Sequence, residues 1–150
     1  MHTVMAIMYQ ESAFIDDIRP PRLKLLGFIP WKRPSSAYGY SQALAGTWRH
    51  YENDRGEPWR QRDRFDDATD FIHWYLNQSL KRNGLSKEDA YSLYLTYHEG
   101  WTGFSKGSYK SKAWLKRAAQ NVARRSKQYA VQYGGCRAAL MKQSWWQRLF

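Results

Sequence analysis

Apolar and aromatic residues recur at helical spacing through most of this chain, which places them on one face of each predicted helix. Local capping and glycine signals then predict where the helices begin and end. The first three predicted helices are 3–14, 42–51 with Ser41 as N-cap, and 66–81 closed by Gly84. A fourth helix is opened by a capping box at 86–89 and runs through 97. The fifth is 110–133, stopped by Gly134 and Gly135. No strand pattern is visible, so the expected fold class is all-α with little or no β structure.

The segments between these helices are longest in the first half of the chain. The connection at about 18–37 contains four of the five prolines and mixes basic with apolar and aromatic residues. A second connection at 52–64 is charged and contains Gly56 and Pro58. With 150 residues and no repeat or low-complexity linker, the chain is expected to form one domain over 1–150, ended by an aromatic tail at about 143–150.

Composition narrows the class of protein. A hydrophobic content of 43% with 17% aromatics indicates a globular domain rather than a disordered chain. No apolar run approaches the roughly 18 residues that a membrane-spanning helix needs. The net charge of +11 predicts attraction to polyanions such as nucleic acid, anionic lipid or a bacterial cell wall, and does not choose among them.

The sequence contains few cysteines and histidines, the residue types that most often bind transition metals. Cys136 is the one cysteine, so a disulfide framework and a Cys-rich zinc site are excluded. The four histidines lack the spacing of a metal site. We therefore expect no catalytic metal and no cofactor.

Glu11 is the first candidate catalytic residue. It stands in an apolar run whose members Ile7, Met8 and Phe14 are spaced to form one helix face. A carboxyl group at the edge of such a face is desolvated, which favours the protonated form near neutral pH. A protonated carboxyl group can act as a general acid.

Three short segments accompany this acid in a fixed order. They are Glu11-Ser12, then Gly39-Tyr40-Ser41-Gln42 followed by Thr47, then Thr96-Tyr97-His98-Glu99-Gly100. Together they resemble the SLT domain of lytic transglycosylases, a member of the lysozyme-like superfamily related to goose-type lysozymes. The usual family pattern is Glu-Ser, then Gly-Leu-Met-Gln with a later Thr, then Ala-Tyr-Asn-x-Gly. This chain departs from it at Tyr40, Ser41 and His98.

The resemblance implies a lysozyme-like fold and cleavage of peptidoglycan between N-acetylmuramic acid and N-acetylglucosamine, leaving anhydro-muramyl ends. Glu11 would act as general acid and then as base, and the substrate would be bound by Ser12, Gly39, Tyr40, Ser41, Gln42, Tyr97 and His98.

Four of these residues receive specific expected roles. Gly39 would let the backbone approach the sugar, and Gln42 would bind the glycan or brace the wall of the site. Tyr97 would offer its hydroxyl group to Glu11 or to the substrate. Glu99 is a candidate second carboxylate.

The same resemblance implies where the protein works and what it meets. The expected location is the periplasm or cell envelope, although no secretory signal is visible at the start of the sequence. The expected partner is the peptidoglycan strand, with membrane or envelope-complex contact through the 18–37 connection and the tail, and no specific nucleic acid.

Three alternatives stay open at this stage. A muramidase of the same fold would hydrolyse the same bond. A peptidoglycan-binding or scaffold protein would keep the groove without cleaving. A helical nucleic-acid-binding domain is favoured by the charge and the aromatic content.

Overall fold

The computed structural model describes residues 1–22, 24–25, 29–30 and 35–146. Within these ranges the chain forms five helices: α1 (His2–Ser12), α2 (Ala45–Arg55), α3 (Phe65–Asn83), α4 (Ala90–Ser105) and α5 (Ala113–Trp146). Two strands of two residues each, β1 (Lys24–Leu25) and β2 (Ile29–Pro30), pair antiparallel in the first long connection. The prediction of an all-α fold with little β structure is confirmed.

A continuous apolar core holds the helices together. Helix α1 packs against α5 and α3, α4 packs against α3 and α5, and α2 packs against α3. The fully buried side chains include Ile7, Met8, Phe71, Ile72, Leu93, Leu95, Leu115 and Val122. Burying one such side chain contributes about 1.5–3 kcal/mol. This packing fixes the end of α1 beside the middle of α4.

Aromatic rings from α2, α3 and α4 form a connected cluster in this core. Tyr75 stacks on Trp101 with ring centroids 4.7 Å apart, and Tyr97 meets Tyr75 edge-on at 5.1 Å. On the α2 side, Trp48 lies 5.1 Å from Phe71. Such offset and edge-on pairs add about 0.5–1.5 kcal/mol beyond area burial. The cluster therefore gives the candidate site a rigid backing.

The bounds of the first two helices differ from the sequence prediction. Helix α1 ends at Ser12, because Ala13 and Phe14 have left-handed φ values of 50° and 64°. Helix α2 begins at Ala45 with Leu44 as N-cap, so the prediction that Ser41 caps this helix is wrong. Gln42 has a φ of 51° and stands in a turn outside the helix, and α2 continues to Arg55, into the predicted loop.

Helix α3 closes as predicted at Gly84, which has a φ of 64°. The predicted capping box at 86–89 is wrong, because α4 begins at Ala90 with Asp89 as its N-cap. The Asp89 side chain accepts a hydrogen bond from the Ser92 backbone N–H at 3.0 Å. Helix α4 extends beyond Tyr97 to Ser105 and is broken at Gly100, whose φ of 76° and ψ of 162° are not helical.

The predicted stop of the last helix is wrong. Helix α5 passes through Gly134 and Gly135 and continues to Trp146. A glycine inside a helix costs about 1 kcal/mol relative to alanine but does not prevent helix formation. The aromatic tail is helical as far as Trp146, and 147–150 lie outside the described residues, as do 23, 26–28 and 31–34 of the first connection.

Among the helices that the structure describes, none combines the length and hydropathy needed to cross a membrane.

Candidate active site

A cleft of about 360 Å³ opens where the end of α1, the segment 35–47, α3 and the broken part of α4 meet. Phe71 and Tyr75 of α3 contribute to its lining from the aromatic cluster. Five of the candidate site residues also line it: Glu11, Gln42, Tyr97, His98 and Glu99. Thr47, which follows the second motif, and Gly100, which ends the third, line the cleft as well.

Glu11 occupies the last turn of α1. Its Oε1 atom is buried and has no hydrogen-bond partner among the described residues. Burial raises the pKa of Glu11 from 4.5 to about 7, and a hydrogen bond with the Tyr94 side chain opposes this increase. Near neutral pH the carboxyl group is therefore about half protonated, with one oxygen available to a bound molecule.

Two tyrosines of α4 contact different parts of the site, one the Glu11 carboxyl group and the other the 39–42 turn. The hydroxyl group of Tyr97 donates to the backbone carbonyl of Ser41 at 2.6 Å. Tyr94, one helical turn earlier, forms the hydrogen bond with Glu11 instead. Burial raises the pKa of both phenols well above the usual value, so both remain protonated donors. The expectation that Tyr97 offers its hydroxyl to Glu11 is corrected: Tyr97 fastens the 39–42 turn to α4.

Gln42 braces the wall of the cleft from within the turn. Its Nε2 atom donates to the carbonyl groups of Gly39 at 2.8 Å and Ile18 at 3.0 Å. These two bonds use both N–H groups of the side-chain amide. Of the two expected roles, bracing is the one that the described contacts support.

A neighbouring backbone segment leaves no room for a side chain at position 39, so this residue must be glycine. A Cβ atom at this position would lie 2.1 Å from the carbonyl oxygen of Arg62, and the φ of 75° is left-handed. The space beside Gly39 is therefore filled by Arg62, which corrects the expectation that it admits the sugar. The Arg62 guanidinium group also donates to the carbonyl groups of Ser36 at 2.8 Å and Ala43 at 3.0 Å.

The other predicted binding residues are not among those that line the cleft. Ser12 is buried and its Oγ atom donates to the Met8 carbonyl at 3.1 Å. Ser41 is buried within the turn, and Tyr40 packs edge-on against Phe65 with centroids 5.6 Å apart. With Gly39, these three residues support the site without being among the residues that line the cleft.

Glu99 lines the cleft in a strongly polar setting. Its side chain is 4% exposed, and the Lys112 ammonium group donates to both oxygens at 2.7 and 2.9 Å. Ser108 Oγ also donates to it, and His98 Nδ1 lies 3.1 Å away. Burial opposes ionisation, but these hydrogen bonds outweigh it and lower the pKa of Glu99 to about 2. Glu99 is therefore an ionised, fully engaged carboxylate.

Tyr94, Lys112 and Ser108 also belong to this site, and the sequence motifs did not predict them. Tyr94 precedes Tyr97 by three positions, so helical spacing alone could have placed both on one face. Lys112 and Ser108 come from the connection to α5, and no local pattern links them to Glu99. Within the described ranges, no three His, Cys, Asp or Glu side chains are grouped so that they could hold a metal ion.

Comparison with known families places the chain in a family. A family model described as the transglycosylase SLT domain matches residues 1–136, a range that contains all three motifs and every cleft residue named above. Comparison with curated proteins and with solved structures gave no match. The family match confirms the resemblance seen in the three motifs.

Proposed function

Because this chain belongs to the transglycosylase SLT domain family, a family of enzymes that act on peptidoglycan, we propose that it is a lytic transglycosylase. The bond cleaved is the glycosidic bond from N-acetylmuramic acid to N-acetylglucosamine. One observation carries the proposal: Glu11 lines the cleft with a raised pKa of about 7 and a buried oxygen that has no partner among the described residues. These are the properties of a general acid that works near neutral pH.

The reaction uses one carboxyl group twice. Protonated Glu11 donates its proton to the glycosidic oxygen while the bond from that oxygen to the muramyl C1 breaks. The N-acetylglucosamine product leaves with the proton as an alcohol. Ionised Glu11 then accepts the proton of the muramyl 6-hydroxyl group, whose oxygen bonds to C1 and closes the anhydro ring. No water is consumed, and Glu11 ends protonated, ready for another cycle.

The state of Glu99 favours this route over hydrolysis. A hydrolytic glycosidase commonly uses a second carboxylate to activate water or to form a covalent intermediate. Glu99 is the second acid that lines the cleft, and its oxygens already accept hydrogen bonds from Lys112 and Ser108. Its low pKa makes it a poor base. These contacts support Glu11 as the sole acid and base.

The remaining cleft residues serve position rather than proton transfer. Gln42 closes the 39–42 turn and ties it to the Ile18 carbonyl, and Tyr97 holds the same turn against α4, which keeps the opposite wall at a fixed distance from Glu11. Tyr94 orients the carboxyl group through its hydroxyl group. Preorganised geometry of this kind raises the rate because the reacting groups need not be ordered during the reaction.

The decisive experiment is digestion of purified peptidoglycan followed by mass spectrometry of the products. The wild-type protein should release fragments with anhydro-muramyl ends, and Glu11→Gln should release none while remaining folded. Glu88→Gln, which changes an exposed acid in the α3–α4 connection, is the matched control and should cleave normally. Reducing ends would instead identify a muramidase. Cleavage by Glu11→Gln would overturn the mechanism, and wall binding without any cleavage by the wild type would identify a scaffold protein.

The substrate also sets the proposed location. Peptidoglycan lies in the cell envelope, so we place the protein there, in the periplasm or at the envelope surface. Contact with a membrane or an envelope complex through the 18–37 connection and the aromatic tail belongs to the same proposal.

A further inference from the structure

The connection between α4 and α5 is fastened to the wall of the cleft. Ser108 and Lys112, near its two ends, both donate hydrogen bonds to Glu99. Gly103 allows the close approach, since a Cβ atom there would lie 3.1 Å from Ser108 Oγ and 3.3 Å from Glu99 Cβ. The first turn of α5 is thereby held beside the cleft.

Trp114 lies in this first turn and faces outward. Its side chain is 53% exposed, whereas the adjacent Leu115 is fully buried in the core. The indole ring meets His98 edge-on, with centroids 5.1 Å apart and an angle of 77° between the rings. His98 itself lines the cleft. Trp114 is thus one ring beyond the cleft wall, with much of its surface open to solvent.

The cleft is small compared with a glycan strand. A cleft of about 360 Å³ is near the lower end of the range, about 300–1,000 Å³, that holds one small molecule. A glycan strand is a polymer and must leave such a cleft at its ends. The surface that follows the edge is then available to bind further sugar units.

We propose that Trp114, positioned by His98, is an additional saccharide-binding subsite that stacks on a sugar ring of the strand beyond the cleft. A pyranose ring presents C–H groups on its faces and hydroxyl groups around its edge. The flat apolar face of an indole covers the C–H groups and leaves the hydroxyl groups in water. This inference rests on the proposed function, because it identifies part of the surface that would bind the same substrate.

The test compares soluble peptide-free peptidoglycan strands of different lengths. Binding is measured by calorimetry on protein that carries Glu11→Gln, so that no strand is cleaved. Adding Trp114→Ala should weaken binding of strands of eight sugars about three- to tenfold more than binding of disaccharides. Trp114→Phe retains a flat ring and should recover most of this affinity. Trp59→Ala removes a tryptophan that is 68% exposed and is not among the cleft-lining residues, so it should leave the length dependence unchanged.

Three outcomes would overturn the subsite. Equal losses for short and long strands would show that Trp114 acts through the cleft itself. A Trp114→Phe variant as weak as Trp114→Ala would show that stacking on a flat ring is not the interaction. Unchanged binding of long strands would show that the exposed indole has no part in recognition. Because binding is measured without turnover, failure of the proposed function would be seen separately, as the absence of anhydro-muramyl products from the wild-type protein.

Discussion

At the scale of single residues, the pKa values of Glu11 and Glu99 are shifted in opposite directions although both residues line one cleft. Glu11 has one buried oxygen without a partner among the described residues, so desolvation dominates and the pKa rises to about 7. The Glu99 side chain is also shielded from solvent, but Lys112, Ser108 and His98 surround it and the pKa falls to about 2. The acid that can give up a proton at neutral pH is therefore the one with fewer partners.

The raised pKa of Glu11 predicts a pH-dependent cost in stability. The folded state binds the Glu11 proton more tightly than the unfolded state does. The stability that the protonated carboxyl group contributes is therefore fully present below pH 4.5. It is lost as the pH rises towards 7. Glu11→Gln removes the ionisation, so its unfolding free energy relative to wild type should increase over this range by up to about 3 kcal/mol.

Urea denaturation at pH 4, 5.5, 7 and 8 measures this difference. Asp17→Asn, which neutralises an exposed acid, is the control and should show no such trend. A Glu11→Gln protein whose relative stability does not change with pH would contradict the buried, raised carboxyl group.

The two tyrosines of α4 should separate orientation of the acid from stability of the turn. Tyr94→Phe removes the hydrogen bond that lowers the pKa of Glu11, so the alkaline limb of kcat/KM should move to higher pH. Tyr97→Phe leaves the Ser41 carbonyl without its donor, and should lower the unfolding free energy by about 1–2 kcal/mol with a smaller shift of that limb. The opposite assignment of the two effects would show that Tyr97 is the partner of Glu11.

At the scale of elements, the 39–42 turn illustrates how a motif can be read correctly and its physical role mistaken. The motif predicts that Gly39, Ser41 and Gln42 all bind the substrate. The structure places only Gln42 on the cleft, with Gly39 against Arg62 and Ser41 beneath Tyr97. Motif spacing predicts that these residues belong to one site. It does not predict which of their side chains line the cleft.

This turn should be intolerant of a side chain at Gly39. Alanine there would place Cβ 2.1 Å from the Arg62 carbonyl oxygen and would also adopt a φ of 75°. Steric overlap and left-handed strain should together lower the unfolding free energy by about 3 kcal/mol or more. Gly46→Ala is the matched control: it lies in α2, where a Cβ atom would meet nothing within 4 Å, and should stabilise the protein by about 0.5–1 kcal/mol. Chemical denaturation of both variants checks the pair, and equal effects would contradict the close contact.

At the scale of the whole molecule, the net charge is confined to the last third of the sequence. Residues 1–99 contain 13 basic and 13 acidic residues, whereas 100–150 contain 11 basic residues and no acidic one. Helix α5 occupies most of that segment, and its Arg117, Arg124 and Lys127 are exposed. The field of the protein is therefore directional, with its positive side along α5.

This asymmetry predicts salt-sensitive binding to the cell wall, whose peptide carboxylates are anionic. Arg117→Glu combined with Lys127→Glu should weaken binding of the Glu11→Gln protein to purified wall more than Lys81→Glu combined with Lys87→Glu. All four residues are exposed and the change in net charge is the same. Sedimentation of wall-bound protein at 20 to 300 mM salt measures the effect, which should disappear at the higher end as charges are screened. Equal losses for both pairs would assign binding to net charge alone.

The sequence by itself determined the helical class, the general acid candidate and the order of the three motifs, because helical periodicity and short motifs are local properties of the chain. Only the tertiary structure decided that Tyr94 is the partner of Glu11, that Lys112 engages Glu99, and that Arg62 fills the space beside Gly39. These contacts join residues from different elements, so no local spacing encodes them. The end of α5 was missed for the same kind of reason, since a glycine's local tendency to stop a helix was outweighed by the continuing helix around it.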